Sequence, residues 1–122
     1  MTRDEVKAAL SSYRHSAQMV DVLERDLQEW ESRYKMNLSS DCLMEMSRIM
    51  RKIQIELERA GHERDKAEAM ICSLSDKRKR VLLIRKYILG QKWEYIQRAV
   101  CYSRSHVLRL HEEALEELQK KE

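Results

Sequence analysis

Proline is absent from this chain of 122 residues, and glycine occurs only at Gly61 and Gly90. These two residues most often end helices and shape loops, so a chain nearly free of both has few places for anything but helix. The apolar positions then say which helix faces meet. They run Val6, Leu10, Tyr13, Ala17, Val20, Leu23, Leu27, Trp30 and Tyr34, in steps of four and three with one slip at Val20 to Leu23. That spacing draws a narrow seam along one helix. After "NLSSD", where Ser39 or Ser40 supplies a cap, the pattern restarts. It continues through Leu43, Met46, Met50, Ile53, Leu57, Ala60, Arg64, Ala67, Ile71 and Leu74.

Two helices of roughly 50 Å each, at 1.5 Å per residue, are expected to fold back as an antiparallel, coiled-coil-like hairpin over residues 1–74. Gly61 is expected to mark a bend in the second helix. Two helices alone bury a thin core, so a homodimer through Leu43, Met46, Met50, Ile53 and Leu57 is expected. A purely intramolecular hairpin is the simpler alternative.

Residues 75–122 read differently. Ser75 or Asp76 caps a helix whose apolar positions include Val81, Leu82, Ile84, Tyr87 and Ile88, and Gly90 sits where a left-handed stop belongs. A short helix over about Lys92 to Val100 presents Trp93, Ile96 and Val100 on one face. Cys101 and Tyr102 turn into Ser103, the N-cap of a last helix that buries Val107, Leu110, Ala114 and Leu118. The layout is that of a helix-turn-helix, and the fold class is all-α.

Charge singles out the same segment. Residues 75–111 carry ten Lys/Arg against Asp76 and Glu94, a balance of +8 within a chain whose net charge is +3. Such a concentration is the footprint of a polyanion-binding unit. The last helix also sets Arg104 and Arg109 toward its positive end and Glu112, Glu113, Glu116 and Glu117 toward its negative end. Its dipole disfavours both placements, by roughly 0.3–1 kcal/mol per charge. An external anion at the N-terminus offsets the first: Ser103 and the free amides form a phosphate site, and Arg104 reinforces it. The glutamates are expected to lie away from that anion.

The stretch "VLLIRKYILGQKWEYIQRAVCYSRSHVLRLHEEALEEL" resembles the fourth region of the sigma-70 family. More closely it is similar to small phage and mobile-element transcriptional regulators of the ArpU and RinA type, in which a sigma-like C-terminal domain follows a helical segment. The resemblance covers about residues 75–118. It implies a recognition helix over about 103–118 that starts at Tyr102 and Ser103, with Arg104, Ser105 and Arg109 where such domains touch bases or nearby phosphates. It departs from the family at Gln97, where alanine is usual, at Cys101, where glycine is frequent, and at Leu108, where a polar residue is frequent. The fold carries over, and the DNA sequence read does not.

The expected base contacts are therefore Arg104, Ser105, His106 and Arg109, since a bidentate arginine on guanine is worth about 1–3 kcal/mol of discrimination. Lys77, Arg78, Arg80, Lys92, Arg98, Tyr102 and Ser103 are expected to hold phosphates. Double-stranded DNA is the expected partner. Bacterial RNA polymerase is a second one, because sigma-like domains also dock there, and a packaging factor of the small-terminase kind is a third reading.

Other chemistry finds no support. The cysteines Cys42, Cys72 and Cys101 are odd in number without a close Cys-x-x-Cys spacing, and read as reduced packing residues. His106 and His111 do not stand at zinc-site spacing, and His15 and His62 read as surface or seam residues. Tyr87, Trp93 and Tyr95 read as core. No Ser-His-Asp grouping, phosphate loop or carboxylate pair can be placed, so neither enzyme nor cofactor is expected. The longest apolar run is too short to span a membrane and "MTRDEVKAAL" lacks a secretory apolar core, so the bacterial cytoplasm is the expected location.

Overall fold

The computed structural model describes residues 1–121, and their regular structure is entirely helical. Helix α1 spans Arg3–Met36 and α2 spans Ser40–Cys72. Thr2 caps α1 by accepting the Glu5 amide at 3.2 Å, with Asp4 and Glu5 in the first turn and Arg33 and Lys35 in the last, which suits the dipole. Three residues later Ser39 caps α2 by accepting the Cys42 amide at 3.2 Å. The connection reverses the chain, and α1 and α2 pack along each other as the expected hairpin.

The seam on α2 corrects the sequence reading over its first half. Cys42, Ile49 and Ala60 are buried and Met46 and Ile53 half-buried, so the line facing α1 runs 42, 46, 49, 53, 60. Leu43, Met50 and Leu57, placed in that seam by the sequence, are 45%, 57% and 55% exposed. Two apolar lines about a quarter turn apart share this helix, and apolarity alone does not say which one meets α1. From Ala60 onward the apolar positions hold, with Ala67, Ile71 and Leu74 buried, whereas Arg64, read into the same seam, is exposed. Helix α2 runs through Gly61 without interruption.

Beyond Ser73 the chain folds into a cluster at the open end of the hairpin. Helix α3 covers Lys77–Leu83, capped by Asp76, and widens into a π-helical turn over Ile84–Ile88. Gly90 follows with φ 68°, the left-handed stop expected of it. Helix α4 spans Trp93–Val100, and α5 spans Arg104–Lys120. Between them Cys101 adopts φ 60°, ψ 39°, a left-handed conformation that normally favours glycine.

One core joins the two parts of the chain. Val6 and Leu10 of α1 and Ala67, Ile71 and Leu74 at the end of α2 pack with Leu83, Tyr87, Ile88, Ala114, Leu115 and Leu118. A second cluster, Leu82, Ile96, Val107 and Leu110 flanked by Trp93, Val100 and Tyr102, holds α3, α4 and α5 together. Of the aromatics expected in the core, Tyr87 is buried and Trp93 half-buried, whereas Tyr95 is 53% exposed. Cys42 is buried, but Cys72 and Cys101 are exposed. Neither is a packing residue; Cys101 occupies a turn, and Cys72, in the last turn of α2, borders an open groove against α3. No helix among the described residues is long and apolar enough to cross a membrane.

Candidate nucleic-acid interface

The N-terminus of α5 is built as the sequence requires. The Ser103 hydroxyl accepts the His106 amide at 3.2 Å, which leaves the other first-turn amides directed outward, and no acidic residue lies in that turn. Arg104 and Arg109 extend into solvent with side chains 61% and 67% exposed, and Ser105 beside them is exposed. Each arginine has only a loose acidic neighbour, Glu94 at 3.9 Å from Arg104 and Glu113 at 3.9 Å from Arg109. Exposed pairs at that separation contribute little and exchange readily for a phosphate or a base edge. His106 is half-buried, its ring 4.3 Å from that of Tyr102.

The expected phosphate contacts fall into three places. Lys77 and Arg78, at the start of α3, line a groove of about 180 Å³ with Val100 and Tyr102, so they stand beside the turn that leads into α5. Arg78 also grips Asp76, with Nη2 at 3.0 Å from one carboxylate oxygen and the backbone amide at 2.9 Å from the other. Those bonds hold the Asp76 carboxyl below the usual carboxylate range. Lys92 and Arg98 line a second groove with Gln91, Glu94 and Tyr95 along α4.

Arg80 is committed elsewhere. Its Nη1 donates to the carbonyls of Leu74 at 2.7 Å and Ser75 at 3.0 Å, just past the end of α2. A guanidinium there satisfies chain-end carbonyls and joins α2 to α3, and it lines a groove with Ile71, Cys72 and Arg85 instead of the one beside Tyr102.

Two glutamates at the acidic end of α5, Glu112 and Glu117, are paired within the chain. Arg3 at the start of α1 forms a two-pronged bond with Glu112, 2.8 Å and 2.5 Å, which lowers the Glu112 carboxyl. Glu117 lies 3.5 Å from Lys79 of α3 and 3.7 Å from Lys121, whose ammonium also donates to the Ser73 carbonyl. Glu112 therefore fastens α5 to α1 and Glu117 fastens it to α3, roles that charge counting does not reveal.

His111, which the sequence marks only as lacking zinc-site spacing, is buried in the structure. It is 5% exposed, its Nε2 lies 2.7 Å from the Tyr87 hydroxyl, and the Trp93 ring meets it edge-on at 4.9 Å. Burial pushes its pKa down to about 4 and that of Tyr87 up to about 12. Phenol and neutral imidazole therefore share one hydrogen bond, and the other ring nitrogen, Nδ1, lies 3.8 Å from Glu112. Its position, four residues from both Val107 and Leu115, was the available signal. His15 and His62 are exposed. No group of His, Cys, Asp and Glu among the described residues is placed to hold a metal ion.

No protein-family model matches the chain, and no curated protein or solved structure matches it.

Proposed function

We propose that α4, the turn at Cys101–Ser103 and α5 form a helix-turn-helix that docks α5 in the major groove. The chain is then a sequence-specific transcriptional regulator, an activator of phage or mobile-element genes in a bacterial cytoplasm. The observation that carries this reading is the capped, acid-free N-terminus of α5 with Arg104 and Arg109 exposed, flanked on one side by Lys77 and Arg78. Arg104 and Arg109, with Ser105 and His106, read base edges; Lys77, Arg78, Lys92, Arg98, Tyr102 and Ser103 hold phosphates. Arg80 serves the fold instead.

Gel-shift binding to fragments of the chain's own genetic neighbourhood, at low and moderate salt, tests it. Site-selective binding by the wild type and its loss in an Arg104→Ala/Arg109→Ala variant is expected. Equal, unselective binding by both refutes the recognition helix.

A second reading is docking on RNA polymerase, favoured by Leu89 and Tyr95, which are 54% and 53% exposed next to the basic face. In that case Tyr95→Ala abolishes transcription activation and leaves the gel shift intact.

A further inference from the structure

The exposed line on α2 is not a scatter of surface apolar residues. Leu43, Ser47, Met50, Gln54, Leu57 and Gly61 recur every three or four residues, all are exposed, and none is charged. In a chain that is 37% charged, an uncharged stripe of five helical turns is unusual. It lies about a quarter turn from the line that meets α1, which is the angle at which a helix in a four-helix bundle meets its second neighbour.

Gly61 belongs to this stripe and has no use within one copy of the chain. Its φ is negative, and a Cβ added there would meet nothing within 4 Å. A glycine in an exposed helix interior disfavours the helix, and here it pays for nothing in the chain itself.

We propose that a second copy of this chain packs its α2 against this stripe in antiparallel fashion, about a two-fold axis at residue 52. The stripe is self-complementary about that point. Leu43 falls opposite the partner's Gly61, Leu57 opposite the partner's Ser47, and Met50 opposite the partner's Gln54. Each large side chain meets a small or flexible one, the alternation that lets helices interdigitate. Charge does not oppose the pairing: about that axis residues 40–51, with two cations and two acids, face residues 53–64, with two cations and three acids, so no block of like charge meets its own kind.

The pairing sets a distance. From residue 52 to Cys72 is about 30 Å at 1.5 Å per residue, so the two C-terminal units lie at opposite ends of a rod, about 60 Å apart or slightly more. That separation suits half-sites two helical turns apart, about 68–72 Å, and not one. Only this last step rests on the DNA-binding reading.

Light scattering and cross-linking, both without DNA, test the pairing in the full chain. The wild type is expected to run as a dimer of the 14.7 kDa chain. Gly61→Leu harms nothing in a single copy, but across the axis it collides with Leu43. It is expected to weaken self-association on the order of a hundredfold, with helical circular dichroism unchanged. With Cys42, Cys72 and Cys101 replaced, a Leu43→Cys chain mixed with a Gly61→Cys chain is expected to give the mixed disulfide. A monomeric wild type, a Gly61→Leu dimer of unchanged affinity, or Leu43→Cys homodisulfides would each overturn the proposal. Footprints are expected as two patches two turns apart; one-turn spacing would overturn the antiparallel arrangement. The Gly61→Leu monomer still binds a single half-site, whereas Arg104→Ala/Arg109→Ala remains dimeric and does not, so the two readings fail separately.

Discussion

The Tyr87 hydroxyl lies 2.7 Å from Nε2 of His111, in a core that α1 closes from above with Val6 and Leu10. The pair ties the π-helical turn after α3 to the middle of α5, and its polar atoms find each other where water does not reach. A buried imidazole so held makes stability depend on pH. Burial is the main cause; Glu112 alone among the charged neighbours favours the protonated ring, and Lys7, Arg3 and Lys86 add to the cost of charging it.

In the unfolded chain His111 takes up its proton near pH 6.5, and in the folded one near pH 4. Between those values the unfolded state binds more protons, so the stability contributed by the neutral imidazole is complete above pH 6.5. It is lost as pH falls toward 4, by about 2–3 kcal/mol. Urea unfolding at pH 7 and pH 5 measures this, and His111→Leu removes the dependence in that window. Tyr87→Phe leaves Nε2 without its hydrogen-bond partner and is expected to cost about 1–2 kcal/mol at pH 7. A stability that stays flat from pH 7 to pH 5 would show that the site is not dry.

Gly90 and Cys101 share a left-handed backbone, with φ 68° and 60°, and carry opposite expectations. Gly90→Ala places a Cβ 2.6 Å from Nε of Arg14 and forces an L residue into an unfavourable conformation. It is expected to destabilise by about 1–2 kcal/mol. Cys101→Gly releases the same strain and is expected to stabilise, by about 0.5–1 kcal/mol once the added freedom of the unfolded chain is counted. Thermal unfolding of the two variants is the check, and a loss of stability in Cys101→Gly would contradict this account.

Arg80 and Arg104 separate folding from binding. Removing the Arg80 guanidinium frees the carbonyls of Leu74 and Ser75 and is expected to cost about 1–2 kcal/mol of stability. The salt dependence of DNA binding should stay as it is. Arg104→Ala should leave unfolding unchanged and reduce affinity for the preferred site by about 1–3 kcal/mol. Paired denaturation curves and gel shifts across a salt series decide it. A shallower salt slope in Arg80→Ala would return that residue to the phosphate contacts.

Leu10 stands in the cluster shared by the hairpin base and the C-terminal helices. Leu10→Ala is expected to destabilise the whole chain by about 2–5 kcal/mol and to keep one unfolding transition. Two transitions, followed by helical circular dichroism and by Trp93 fluorescence, would show that the parts melt independently.

The helices themselves were legible because their signals are local. Caps, the stop at Gly90 and three-four apolar spacing are all properties of a few neighbouring residues; the structure keeps Ser103 and Gly90 and selects Ser39 over Ser40 and Asp76 over Ser75, while the spacing marked the helices but not which line of α2 is buried. The exposed arginines of α5 were legible for the same reason, since they fall off its apolar face. The π-helical turn at Ile84–Ile88 left no such signal, because one extra residue in a turn does not alter the types of residue around it.

The sequence by itself determined an all-helical chain, a long reversing pair, and a short basic helix followed by a capped one. These follow from hydrogen bonding and periodicity along the chain. Only the tertiary structure decided which apolar line of α2 meets α1, that Arg80 caps a chain end, and that Arg3 holds Glu112. It also decided that His111 is buried neutral against Tyr87. Each of these depends on which surfaces come together in space, and residues 109 apart along the chain, such as Arg3 and Glu112, bear no trace of their contact in the local pattern of either.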